Sequence, residues 1–92
     1  MTDRRTRIED KLKQALDATH VELVDESHRH AGHAGAASGG GHFLALIVSP
    51  RFDGRSSVER QRLVYAALDA EMGSDIHALS MRTLTPEEWG NR

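Results

Sequence analysis

The chain contains no cysteine. That excludes disulfides, thiolate nucleophiles and any iron–sulfur or cysteine-type zinc site that the chain could complete alone. A reducing compartment is compatible with this, and a cytoplasmic location is the expectation. Aromatic residues number four in 92, two Phe, one Tyr and one Trp. Neither sign of charge is in large excess: 12 Lys and Arg stand against 14 Asp and Glu, a formal net charge of −2. A strong, sequence-blind grip on nucleic acid needs a basic surplus that is missing here. No apolar run approaches the roughly eighteen residues of a membrane span, so no membrane association is expected. Residues 1–13 are charged throughout, which is unlike a signal peptide. With 38% apolar and 28% charged residues the balance is globular. The expectation is one domain over residues 1–92, too short to hold two cores.

Histidine is what the chain has in plenty. There are six, and four of them, His28, His30, His33 and His42, fall within fifteen residues. They lie in or beside HRHAGHAGAASGGG, residues 28–41, a stretch too polar and glycine-rich to pack as a regular element. A connection of this length in so small a domain is more often functional than idle.

The elements around it can be read in order. Residues 3–18 carry Ile8, Leu12, Ala15 and Leu16 at helical spacing. Residues 21–25 alternate as a half-buried strand with Val21 and Leu23 on one face. Phe43 to Val48 is nearly continuous apolar sequence, as expected of a central strand, buried on both faces or flanked on both edges and ended by Pro50, and Phe52-Asp53-Gly54 predicts a turn. Ser56 and Glu59 form a capping box for a second helix expected to run to about Met72, with Val64, Ala67, Leu68 and Met72 inward and Gly73 beyond its end. Ile76 to Thr83 is a third strand, and Thr85-Pro86-Glu87-Glu88 caps a short last helix that carries Trp89 as a packing anchor. The order is α-β-β-α-β-α. The first two strands can pair antiparallel across the long connection, and the intervening helix makes the second and third parallel.

This topology gathers the end of the first strand, the start of the second and the start of the third at one rim. His28, His30, His33, His42 and His77 belong to that rim. Converging imidazoles can hold zinc, copper or iron. Strand parity puts His77 on the face of Leu79 and Met81, where a histidine is commonly structural. His42 is expected to serve the loop root structurally, and His20 lies far from the cluster. No HExxH is present, which removes the metalloprotease reading. Gly32-His33-Ala34-Gly35 is formally G-x-x-G, but it lies between strands and brings no basic residue of its own. Asp25 and Glu26 are adjacent on a strand and point to opposite faces. Arg51, Arg55, Arg60 and Arg62 cluster near the second helix and could contact phosphates or pair with Asp53 and Glu59. Nothing here assembles an enzyme.

Several blocks, in order along almost the entire chain, resemble the BolA family: Asp25-Glu26-Ser27-His28-Arg29-His30, Gly41-His42-Phe43, Phe52-Asp53-Gly54, Arg60-Gln61-Arg62-Leu63-Val64-Tyr65, Ile76-His77-Ala78-Leu79-Ser80 and Thr85-Pro86-Glu87-Glu88-Trp89. The resemblance implies a type II KH-like α/β fold with a three-stranded mixed sheet and helices on one face. It also implies a small adaptor or regulator, not an enzyme, that is monomeric alone and forms a heterodimer with a monothiol glutaredoxin. In such pairs a 2Fe–2S cluster is shared with the glutaredoxin and its glutathione, and the isolated chain holds none. The family's ligand at the start of the third strand matches His77. Its loop ligand matches His30 first, with His33 as the nearby competitor.

Imidazole in place of thiolate on one iron removes negative charge and raises the reduction potential. The ligand must be neutral, so acid weakens binding. The family commonly has histidine where this chain has Gln61. The alternative implied by the family is a nucleic-acid-binding transcriptional regulator using Arg51, Arg55, Arg60 and Arg62. A histidine-loop zinc binder is a third reading.

Overall fold

Ile8, Leu12 and Leu16 recur every four residues and are all buried, which is why Arg4–Leu16 forms the first helix, α1. The computed structural model describes residues 4–26 and 41–90. After α1 come β1 (His20–Asp25), β2 (Gly41–Val48), a 3-10 turn over Pro50–Phe52, α2 (Ser57–Ala67), β3 (Ile76–Leu84) and α3 (Pro86–Gly90). The sheet order is β1-β2-β3, with β1 antiparallel and β2 parallel to its neighbours β2 and β3 respectively. This is the mixed α/β architecture expected from the element order.

Burial in β2 alternates. Phe43, Ala45 and Ile47 point to the helices, whereas Leu44 is 43% exposed. The apolar run therefore marks a strand flanked on both edges, not one covered on both faces. Phe43, Ala45 and Ile47 meet Val21 and Leu23 of β1, the α1 stripe, Phe52, and Val64 and Leu68 of α2 in one core. Ala15, at helical spacing with this stripe, is exposed. The opposite face carries Val24, Leu44 and Leu46 between Glu22 and Arg82 in an open groove.

Two polar devices fix the frame. Asp17 has φ 51°, and the N–H of Ala18 donates to the carbonyl of Lys13 at 3.2 Å, so α1 ends in a left-handed cap with Asp in the place glycine usually takes. The Asp17 carboxylate also accepts from Arg51 Nε at 2.8 Å. Ser49 is fully buried; its hydroxyl donates to the carbonyl of Leu16 and accepts from the N–H of Arg51, which ties the end of α1 to the end of β2.

The second helix starts on the expected capping box. Ser56 Oγ accepts from the N–H of Glu59, and Glu59 returns the bond to the N–H of Ser56. It ends at Ala67, five residues short of Met72. From Leu68 onward the chain runs through turns, and Met72 makes a bridge to Ile76. Gly73, with φ 87°, donates to the Ile76 carbonyl and serves that turn rather than the helix end.

The last helix is capped reciprocally as well, Thr85 with Glu88. Arg60 donates to Glu88 at 2.7 Å and to the Thr83 carbonyl at 3.0 Å, which joins α2 to α3. Trp89 stacks on His20 with ring centres 4.8 Å apart. Glu88 has its pKa lowered to about 2, chiefly by the Arg60 hydrogen bond and then by the Thr85 N–H. A carboxylate depressed in the folded state contributes stability above its unfolded pKa of about 4.3 and loses it as pH falls through the folded value. Acidification from about pH 5 to about pH 2 is therefore expected to loosen α3. Trp89 is the chain's one tryptophan, so its emission should shift to the red over that interval. Glu88→Gln should show the shift already at neutral pH. Emission constant to the acid limit in a still-folded chain would show that the pair does not hold α3.

Candidate metal centre at the sheet rim

The parallel ladder between β2 and β3 contains one irregularity. Gly41 pairs with Ile76, but His42 pairs with Ala78, so His77 is the extra residue of a β-bulge. The bulge reverses the parity on either side of it. Ile76 is buried in the core, and so Leu79 and Met81, not residues of Ile76's own parity, pack against that core further on. His77 is exposed. The expectation that His77 shares the inward face of Leu79 and Met81 is thus corrected: parity holds only along an uninterrupted ladder.

The side chain that His77 meets is His42. The two rings lie with centres 5.2 Å apart and planes inclined by 41°. His42 is half-buried, on the β2 face opposite Phe43. Its carbonyl accepts from the N–H of Glu26 at 2.7 Å, as expected of a residue at the loop root. Its ring beside His77 is the part that spacing did not predict.

Both ends of the 27–40 segment attach here. Glu26 bonds to His42, and the N–H of Gly41 donates to the carbonyl of Asp75 at 3.0 Å. The rim expected from topology therefore exists, with β2 one strand spacing from His77. The predicted ligands His30 and His33, and His28 with them, lie outside the described residues.

Two acidic groups next to the rim have cationic partners. Asp75 is 3.4 Å from Arg7, and Asp25 is 3.6 Å from Arg4. Among the described residues no three His, Cys, Asp or Glu side chains gather as a metal set. The rim offers imidazole donors and leaves the rest of a coordination sphere to other groups.

His20 lies at the far end of β1, opposite Val48. Its Nε2 is 2.7 Å from Glu22 Oε2, and its ring supports Trp89. Residue spacing gave no hint of this; only the register of β1 with the end of β2 brings α3 to it.

The four arginines do not act as one free patch. Arg51 is bound to Asp17 and Arg60 to Glu88, and Arg55 donates to the carbonyl of Arg51. Neither ion-pair partner is Asp53 or Glu59. Glu59 has its pKa lowered mainly by the hydrogen bonds from Ser56, with smaller help from Arg55 and Arg62.

Among the described residues no helix is long and apolar enough to cross a membrane. The family model for BolA-like proteins matches residues 12–88. The DNA-binding transcriptional regulator BolA of Escherichia coli is 42% identical over 85 residues, covering 92% of this chain and 78% of that protein. SufE-like protein 1 of Arabidopsis thaliana is 43% identical over 90 residues, covering 92% of this chain but 24% of the relative. The solved BolA domain of SufE1 from Arabidopsis thaliana superposes with a TM-score of 0.80 at 42% identity, over 96% of this chain and 98% of that one. Matched in sequence over most of its length and in the path of its backbone, the chain belongs to the BolA family.

Proposed function

We propose that the chain is an adaptor that pairs with a monothiol glutaredoxin and shares a 2Fe–2S cluster with it, in iron–sulfur trafficking or iron-responsive regulation, without turning over a substrate. The observation that carries this reading is the solvent-facing His77 on its bulge, at the same rim as both ends of the histidine-rich segment. The donor set fits a shared cluster and does not fit a private one. Imidazole can replace thiolate on one iron of such a cluster, and the chain has no thiolate to give. The outside thiolates would come from the glutaredoxin cysteine and from glutathione. His77 holds one ligand position in this reading, and His30 or His33 the other. When bound, the cluster supplies one-electron chemistry or a transferable iron–sulfur unit. The chain's own part is to present neutral imidazoles at an edge that a partner can reach.

The test is a titration of the chain into a glutathione-loaded, cluster-bearing monothiol glutaredoxin, followed by visible absorption and circular dichroism. Replacing thiolate by imidazole on one iron should change both spectra, saturating at one chain per cluster. Spectra that stay unchanged at excess chain would overturn the reading.

A second reading follows from the Escherichia coli relative, whose name makes it a DNA-binding transcriptional regulator. Here the net charge is −2, and Arg51 and Arg60 are already ion-paired. Both observations favour the adaptor. Duplex binding with a steep salt dependence, lost on replacing Arg60 and Arg62, would reverse that preference.

A further inference from the structure

We propose that His42 and His77 form a two-imidazole chelate for a single divalent transition-metal ion of the zinc class, working in the free chain without any partner. The two rings come from neighbouring strands: His42 pairs with Ala78, and His77 stands on the bulge between the paired residues Ile76 and Ala78. Their spacing matches a shared ion. Zinc–imidazole bonds are about 2.0–2.1 Å and a ring centre lies about 1.1 Å behind its nitrogen, so two rings on one tetrahedral ion have centres about 5 Å apart. The observed separation is 5.2 Å, with the rings tilted rather than stacked face to face.

The bulge supplies an independent reason. Without the extra residue, the parity of β3 would turn His77 toward the core with Leu79 and Met81. With it, His77 stands exposed beside His42. Bulges that re-aim one side chain recur next to functional sites. Two carboxylates near the rim, Asp25 and Asp75, are held by Arg4 and Arg7, and the two imidazoles are the donors whose rings face each other there. His42 is half-buried and His77 exposed, so an ion from solvent can reach the pair. The site does not depend on the adaptor reading. If that reading also holds, an ion on this pair occupies His77 and excludes it from a partner's cluster.

The experiment is calorimetric titration of the untagged chain with Zn²⁺ alone, with imidazole proton resonances followed in parallel. Wild type should bind one ion, and the His42 and His77 resonances should move together. His42→Gln and His77→Gln should each weaken binding by about tenfold or more, whereas a His30→Ala/His33→Ala double variant and His20→Ala should match wild type. Circular dichroism checks that each variant is folded, and His42→Asn replaces His42→Gln if the latter is not. Wild-type affinity in the folded His42 variant, loss of binding in the loop double variant, or no binding by the wild type would each overturn the proposal. A spectral change with glutaredoxin that survives in His42→Gln separates this site from the shared cluster.

Discussion

His77→Ala is expected to abolish the spectral change that the wild-type chain produces with a cluster-bearing monothiol glutaredoxin and glutathione. The residue carries the one imidazole that the adaptor reading takes from the start of β3, and the chain has no cysteine to take its place. Its side chain is exposed on a bulge and contributes nothing to the core cluster. The loss should therefore come without unfolding, with stability within about 0.5 kcal/mol of wild type, as for most surface substitutions. His20→Ala, at the opposite end of the sheet, should leave the spectra as they are. His77→Cys sharpens the test. A thiolate at the same place would restore a cluster but add negative charge, so its reduction potential should fall below that of the wild-type complex. Wild-type spectra from folded His77→Ala would remove this residue from the site.

Phe52→Ala is the substitution expected to cost the fold most. The ring is fully buried at the end of the 3-10 turn and belongs to the core with the α1 stripe, β2 and α2. The Arg60 guanidinium lies 6.0 Å from its centre. Truncating a buried Phe removes transfer energy and leaves a cavity, together about 3–5 kcal/mol. Domains of this size have about 5–15 kcal/mol in all, so the variant should have a small residual stability or none. Urea denaturation followed by circular dichroism measures it. Val58, 56% exposed on α2, is the control, and Val58→Ala should shift the free energy by no more than about 0.5 kcal/mol. A Phe52→Ala midpoint equal to wild type would mean that this turn does not anchor the core.

Much of this architecture was legible because local signals and pattern agree. Ser56 with Glu59 and Thr85 with Glu88 mark helix starts, and both pairs make their reciprocal bonds. A helix between the last two strands implies parallel pairing, and the sheet has it. The end of α2 was not legible. Met72 continues the apolar spacing, yet it serves a bridge to Ile76, and spacing cannot tell a last helical turn from a turn that packs its apolar residue the same way. The rim was half legible. Topology brings His42 and His77 to one end of the sheet, but parity turns His77 inward, because a one-residue bulge leaves no mark in composition or alternation. The turn of His77 outward, beside His42, follows from that bulge.

The backbone clamps at Glu26–His42 and Gly41–Asp75 have a consequence for how this protein can diverge. They fix residues 26 and 41, the two ends of the connection, to the rim of the sheet. A longer connection between fixed ends costs little: each doubling of loop length adds only about 0.6 kcal/mol of closure entropy. The length of the span between the two clamps is therefore a property that evolution can change at small energetic cost.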